Sequence, residues 1–358
     1  MLSKHNSPSR VKWIDFAKGI TIMLTIVGHS VGYNHSAQGL LLRGMIFSFH
    51  MPLFFILSCV TYRCSASLDE WKRKTLKACK HLLLPAVVVF FLFTGWQCFH
   101  DHSLLLNLDY WQGKFYTLLF SSGVEVAQSG LTIAAIRIPW FFFALFFGRS
   151  IFDYLHLQCK EHSGALFILC MILGMQGILW GKTQWLPFSL DISLAILPFF
   201  FFGNYLKGVS VSNSPFKKAF IFGFLWLLTL FITFPDYNTW SYLELAVRRY
   251  DFFPLCYLTA IFGTMFVAQL SVICCKISWI AKPITYIGQN SLYLLCIHAL
   301  EDNLFDPYRY PPEREFFIAI ERTAVDIAIF LLFMLCLTLL GKVRNSRKNP
   351  AAVQPPNQ

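Results

Sequence analysis

Ten stretches of mainly apolar residues follow one another along this chain, each close to the roughly 20 residues a helix needs to cross about 30 Å of hydrocarbon. They run approximately over residues 14–33, 41–62, 82–99, 139–157, 164–181, 187–206, 217–234, 253–275, 284–301 and 316–340. In lipid only a helix or a closed barrel satisfies its own backbone, and runs of this length are helical. The chain therefore reads as an all-α integral membrane protein, a polytopic bundle of about ten transmembrane helices. Its composition, 56% hydrophobic and 14% charged with 38 Phe, excludes a disordered, collagen-like or disulfide-scaffold chain. The fifth and sixth runs, parted only by residues 182–185, and the short, polar ninth are the least regular.

A formal charge of +11 would suit nucleic acid if it lay on one folded face, but the basic residues sit between the apolar runs. Placing the N-terminus in the cytoplasm puts twenty of them on inner segments and nine on outer ones. Both termini are thus expected inside. Residues 1–341 read as one membrane domain with a short N-terminal segment, and residues 342–358 as a basic, proline-containing cytoplasmic tail. Eleven Cys form no CxxC pair and read as packing residues in reduced surroundings, not as metal ligands. The first run carries Asp15 and Lys18, so no cleavable signal is expected there.

Ionisable residues inside a span are costly, which makes each a candidate for function. In the first run Lys18 and His29 fall on nearly one helix face, about 16 Å apart along the axis. Lys18 beside Asp15 also fits a snorkelling pair at the inner headgroups, whereas His29, between Gly28 and Gly32, points to chemistry. Ser48 and His50 precede Pro52 in the second run, where a hydrogen bond between helices and a substrate contact are equal readings. The ninth run presents Asn290, Ser291, Tyr293 and His298, the last near the outer end where an interfacial histidine is cheap.

The connections carry weaker signals. Residues 63–80 read as a basic, partly helical inner loop in contact with anionic lipid. The long outer segment 100–138, with FYTLLF and LTIAAI, is interfacial, re-entrant or a lid. HDH at residues 100–102 lacks a third ligand at helical spacing and reads as a solvated loop. Asp191 is either a carboxylate partner or an interfacial cap. Arg137, Arg248 and Arg249 would form a cationic rim at the outer mouth.

The run VKWIDFAKGITIMLTIVGHS, followed by FSFHMPLFFILSCVTY, resembles acyltransferase family 3 of integral membrane acyltransferases, in particular its fucose 4-O-acetylase-like branch. The resemblance continues through PWFFFALFFG, LPFFFFGNYL and GQNSLYLLCIHAL, from about residue 11 to residue 300. It implies a ten-helix bundle of the bacterial inner membrane. This would move an acyl group, usually acetyl, from acyl-CoA (acetyl-CoA as co-substrate, no metal) to a hydroxyl of a cell-surface polysaccharide such as lipopolysaccharide O-antigen or its lipid-linked precursor. The partners are then acyl-CoA, the glycan acceptor and the lipid bilayer, with no nucleic acid.

The family's basic residue and histidine fall on Lys18 and His29, and its FHMPLFF element on residues 49–55. Where relatives read SG, this chain has Ser58-Cys59, which puts in doubt any close helix approach there. Transfer to a hydroxyl needs a base and donors for the oxyanion. His29 is the expected base, with His50 and His298 as further catalytic candidates. Lys18 with Asp15 is placed toward CoA, and Ser48, Tyr293, Arg137, Arg248 and Arg249 toward substrate. The rival readings are a transporter or flippase of a lipid-linked sugar, using the histidines as relay or ligands, and a scaffold in which they only specify packing.

Overall fold

The computed structural model describes residues 11–348 apart from 33–35, 129, 161, 209–210, 212, 233–242 and 307–309. Lys4, Arg10 and Arg309, counted above among the inner and outer basic residues, and the tail from residue 349 lie outside the described residues.

The first apolar run forms α1 (Lys12–Gly28), and the second is split into α2 (Ala37–Phe47) and α3 (His50–Val60). Ser36 caps α2 through the Gly39 N–H. The basic inner loop is helical: α4 (Leu68–Ala78) is capped by Ser67 and passes through one π-helical segment at Cys79–Leu83 into α5 (Leu84–His100). The outcome is a single 33-residue helix with a charged first third and an apolar remainder. The HDH motif closes α5 without gathering ligands, since His100 Nδ1 lies 3.0 Å from Trp96 O and Asp101 caps Ser103. In the long outer segment FYTLLF belongs to α6 (Leu108–Phe120), and LTIAAI begins in a short antiparallel hairpin of β1 (Val126–Gln128) and β2 (Leu131–Ile133).

The chain continues as α7 (Trp140–Cys159), α8 (Ser163–Thr183) and the bent pair α9 (Leu190–Ala195) and α10 (Leu197–Leu206). Pro198 near the start of α10 cannot donate into the helical ladder, which accounts for the 51° bend. Next come α11 (Pro215–Ile232), a second small hairpin of β3 (Leu243–Glu244) and β4 (Arg249–Tyr250), and α12 (Leu255–Cys274). The last helices are α13 (Ser278–Gln289), α14 (Ser291–Leu304) and α15 (Glu315–Lys348), so α15 runs on past residue 341.

Among the described residues six helices are long and apolar enough to cross a membrane, or seven if α9 and α10 make one bent span. Three of the expected runs differ for visible reasons. Helix α1 stops after 17 residues. Helix α7 carries Arg149 and Asp153 in its interior. The ninth run is broken at Asn290 into helices of 12 and 14 residues.

Helix α1 sits centrally, packed against α13, α12, α15, α3 and α2. Its contact with α13 is backbone on backbone: a β-carbon at Gly19 would fall 2.1 Å from Ile284 O, and one at Gly288 would fall 1.7 Å from Asp15 O. Such small residues let helices meet where lipid offers no hydrophobic drive. The Cys59 departure is accommodated in the same way. Cys59 is fully buried on α3, and the close approach to α10 is supplied from the other side by Gly203, whose β-carbon would lie 2.4 Å from Ile56 O. Asp153 anchors the chain after α3 by accepting from Tyr62 Oη (2.6 Å), Ser65 N (2.7 Å) and Ser65 Oγ (2.7 Å).

Candidate active site

A cavity of about 420 Å³ opens where α1, α2 and α3 meet α14 and the two hairpin regions. His29, the C-cap of α1, keeps its N–H on Thr25 O (2.9 Å) and presents its ring to the cavity. The ring packs against Phe47 (centroids 5.6 Å apart) and His298 (5.6 Å). Gly28 makes this possible, because a β-carbon there would strike the Phe47 ring at 2.8 Å. His50 opens α3 beside Phe47, with Nδ1 3.1 Å from Ile46 O and its ring on the cavity wall. Phe47, Met51, Ile138, Trp140 and Phe141 give the cavity apolar and aromatic sides.

Two arginines reach the cavity. Arg43 lies over the Phe47 ring at 4.6 Å and 3.7 Å from Glu244. Arg137 donates from Nε (3.0 Å) and Nη2 (2.6 Å) to Asp302 Oδ2. It does so from φ 63°, a conformation that costs a side-chain-bearing residue on the order of 1–3 kcal/mol and persists where surroundings impose it.

Behind the cavity wall lies a layer of charge from α14 and α15. Arg322 donates to Glu301 with both Nε (2.8 Å) and Nη2 (2.6 Å), and to Asp302 Oδ1 (3.1 Å). Its Nη1 donates to His29 O (2.9 Å) and Ser30 Oγ (3.1 Å), and its guanidinium covers the Phe305 ring at 3.7 Å. One side chain therefore ties the end of α1 to α14 and α15. Glu315, at the start of α15, accepts from Gly32 N and Ser36 Oγ and so ties the residues after α1 and before α2 to α15. His298 is fully buried, with Nδ1 2.9 Å from Asp326 Oδ2 and 3.5 Å from Glu301 Oε2. Its interfacial reading is corrected here: the ninth run does not reach a surface at His298, because α15 covers it with Asp326.

Ligand atoms of His29, His298 and Asp302 lie within 4.8 Å of one another, and so do those of His298, Glu301 and Asp326. These are donor types that suit a divalent cation, but Glu301 and Asp302 are held by Arg322 and Arg137, so guanidinium already balances the charge that would draw one.

Of the residues singled out in the sequence, His29, His50 and Arg137 line the cavity, and His298 stands directly behind His29. The others are placed elsewhere. Ser48 is buried between Met45 O (2.7 Å) and Trp226 Nε1 (2.9 Å). Tyr293 is 42% exposed and packs on Phe333 along the outside of the bundle. Lys18 and Asp15 lie toward the start of α1, below Thr25, the cavity residue nearest to them on that helix. Arg248 is no rim residue: its side chain is 1% exposed, paired with Asp191 (2.7 Å), bonded to Ser122 Oγ (3.1 Å) and stacked on Trp185 at 3.8 Å. Asp191 is accordingly a buried partner and not a cap, and the pair braces the 243–247 wall from outside the cavity. Arg249 bonds Asp251 and stands beside that wall, not in it.

The sequence reading passed over Arg43, Glu301, Asp302, Arg322 and Asp326. Arg322 and Asp326, one helical turn apart within an apolar run, carried the same signal of intramembrane charge that drew attention to His29.

A family model described as an acyltransferase domain matches residues 11–343. The chain belongs to acyltransferase family 3. As a member of that family it is a membrane acyltransferase, and the match spans every element that builds the cavity. No curated protein and no solved structure matches this acyltransferase.

Proposed function

We propose that this acyltransferase moves an acetyl group from acetyl-CoA to a hydroxyl of a cell-surface polysaccharide, such as lipopolysaccharide O-antigen or its lipid-linked precursor, in the bacterial inner membrane. The fucose 4-O-acetylase-like branch is the relationship this reading takes. The observation that carries it is the pairing of His29 with a cavity whose volume lies within the roughly 300–1,000 Å³ of small-molecule sites. Its aromatic walls suit the apolar faces of a sugar ring, and both cavity arginines are matched by Glu244 and Asp302, which favours an uncharged sugar over an acidic one.

His29 removes the acceptor hydroxyl proton as the oxygen attacks the thioester carbonyl carbon. The C–S bond then breaks, and the proton returns to the thiolate sulfur. His50 donates its Nδ1–H to Ile46 O, which leaves Nε2 as an acceptor that orients a substrate hydroxyl. Arg137 and Arg43 supply donors near the developing oxyanion. Among the described cavity-lining residues there is neither Ser nor Cys, in keeping with direct transfer. Lys18, with Asp15 beside it, is assigned to CoA phosphate. The family membership favours transfer over the carrier reading. Mass spectrometry of surface polysaccharide from cells with and without the protein is the direct test. An acetyl increment that disappears with the protein is expected, and identical spectra would refute the reading.

Ten spans, with both termini cytoplasmic and residues 1–341 as one domain, complete the proposal. In that topology His29 lies nearer the outer surface, so donor and acceptor enter from opposite faces. Gln38 and Arg73 are exposed, and the proposed topology puts the first outside and the second inside. In a Cys-depleted background, an impermeant thiol reagent is expected to label Gln38→Cys and not Arg73→Cys in intact spheroplasts. Labelling in the reverse pattern would invert the topology.

A further inference from the structure

Asp326 accepts from His298 Nδ1 at 2.9 Å, and both side chains are fully buried. His298 Nε2 is left without a hydrogen-bond partner among the described residues, and it is as buried as the rest of the ring. A buried, unpaired imidazole nitrogen is costly unless something visits it. The His29 ring lies beside it, with centroids 5.6 Å apart and interplanar angle 65°. His29 reaches the cavity; His298 and Asp326 do not.

We infer that Asp326 and His298 form a positioning relay behind His29, fixing which nitrogen of His29 faces the acceptor as a free base. The logic is one of tautomers. The Asp326 carboxylate holds the proton of His298 on Nδ1, so Nε2 presents a lone pair. That lone pair receives the N–H of His29 through one water or a small shift of the ring, since the ring centroids lie 5.6 Å apart and a nitrogen of each comes within 4.8 Å of one of the other. The opposite nitrogen of His29 is then unprotonated toward the cavity. When it takes the hydroxyl proton, the positive charge is shared with His298 and faces Asp326, Asp302 and Glu301, with Arg322 as the counterweight. The proton then returns to the departing thiolate, and both rings regain their starting tautomers. Nothing is oxidised, and no further reactant is consumed.

This inference rests on the transferase reading, and the test separates the two. Membrane vesicles from expressing cells supply the full chain with its endogenous acceptor, and labelled acetyl-CoA is the donor. Asp326→Asn is isosteric but uncharged: with its NH2 toward His298 Nδ1 it imposes the opposite tautomer through both rings, whereas with its Oδ1 there it accepts as the carboxylate does, and nitrogen NMR of His298 in the variant tells which. Asp326→Ala imposes neither tautomer. The expected result at matched protein level is an apparent kcat lowered about 10³-fold or more in Asp326→Asn, with Asp326→Ala less impaired and the KM for acetyl-CoA unchanged in both.

A purely structural role predicts the opposite order, because alanine leaves a cavity and asparagine does not. An Asp326→Asn variant whose His298 carries its proton on Nε2 and that is still within threefold of wild type, or more active than Asp326→Ala, overturns the relay. If neither variant folds, nitrogen NMR of histidine-labelled wild type decides, with the His298 signal identified by its loss in His298→Gln. A proton on Nδ1 is expected, and a proton on Nε2 overturns the relay. No label transfer by wild type would sink the transferase reading itself.

Discussion

Replacing His29 with alanine is expected to remove acyl transfer, by at least about 10³-fold in turnover, while the protein inserts and melts as wild type does. The two halves of this expectation have separate causes. Among the described residues the imidazole is the one basic group that both lines the cavity and packs against His298. What His29 gives to the fold comes from its backbone, since its N–H bonds Thr25 O and its carbonyl accepts from Arg322. Alanine keeps both bonds. Acetylation of surface glycan measured at equal protein level checks the first half, and the melting temperature of purified protein checks the second. Near-normal acetylation would remove His29 from the mechanism.

The second large effect belongs to Arg322, and it is an effect on stability. Arg322→Ala strands Glu301 and deprives Asp302 of one of its two guanidiniums in a low-dielectric interior. Breaking a buried ion pair by removing one partner costs about 3–5 kcal/mol, a large part of the stability of an ordinary domain. The expected result is a marked drop in melting temperature and in the amount of protein recovered. Lysine, a point charge with no planar fork, restores only part of it. In the double variant Arg322→Met with Glu301→Gln, removing charge from both partners is expected to recover stability but not activity. A single Arg322→Ala variant that melts like wild type would show that the network is solvated and contributes little.

The helices and the central histidine were legible in the sequence because both follow from local rules. An apolar run of sufficient length becomes a helix whatever it packs against, and His29 stood out as a base inside such a run. The failures share one cause, which is that pairing across helices leaves no local trace. Asp302 meets Arg137 across 165 residues, and Arg322 meets His29 across 293. No spacing rule connects positions so far apart. For the same reason Arg248 read as part of an open rim when it is sealed against Asp191 and Trp185. His298 read as interfacial because its depth was judged along α14 alone, without the Asp326 that α15 brings over it. The break at Ser48–Phe49 was hidden as well, since apolar residues flank it closely on both sides, whereas the break at Asn290 falls in the polar Gly288–Ser291 stretch that already made the ninth run irregular.

Helix α15 brings Glu315, Arg322 and Asp326 to the site, yet only 11% of its most apolar window is buried in the protein. Most of its flank is exposed on the outside of the bundle, the side that hydrocarbon covers in a membrane. Its hold on the bundle is one narrow face, where these polar contacts are joined by buried Ile318, Ala319 and Phe330 and by Phe333 on Tyr293. In the proposed transferase, annular lipid is therefore expected to help hold the residues that stand behind His29. A short-chain detergent that thins that annulus is expected to loosen α15 first, uncoupling Asp326 from His298 while the helices around α1 stay folded. Bilayer thickness and lateral pressure would then act on turnover through a helix none of whose described residues lines the cavity.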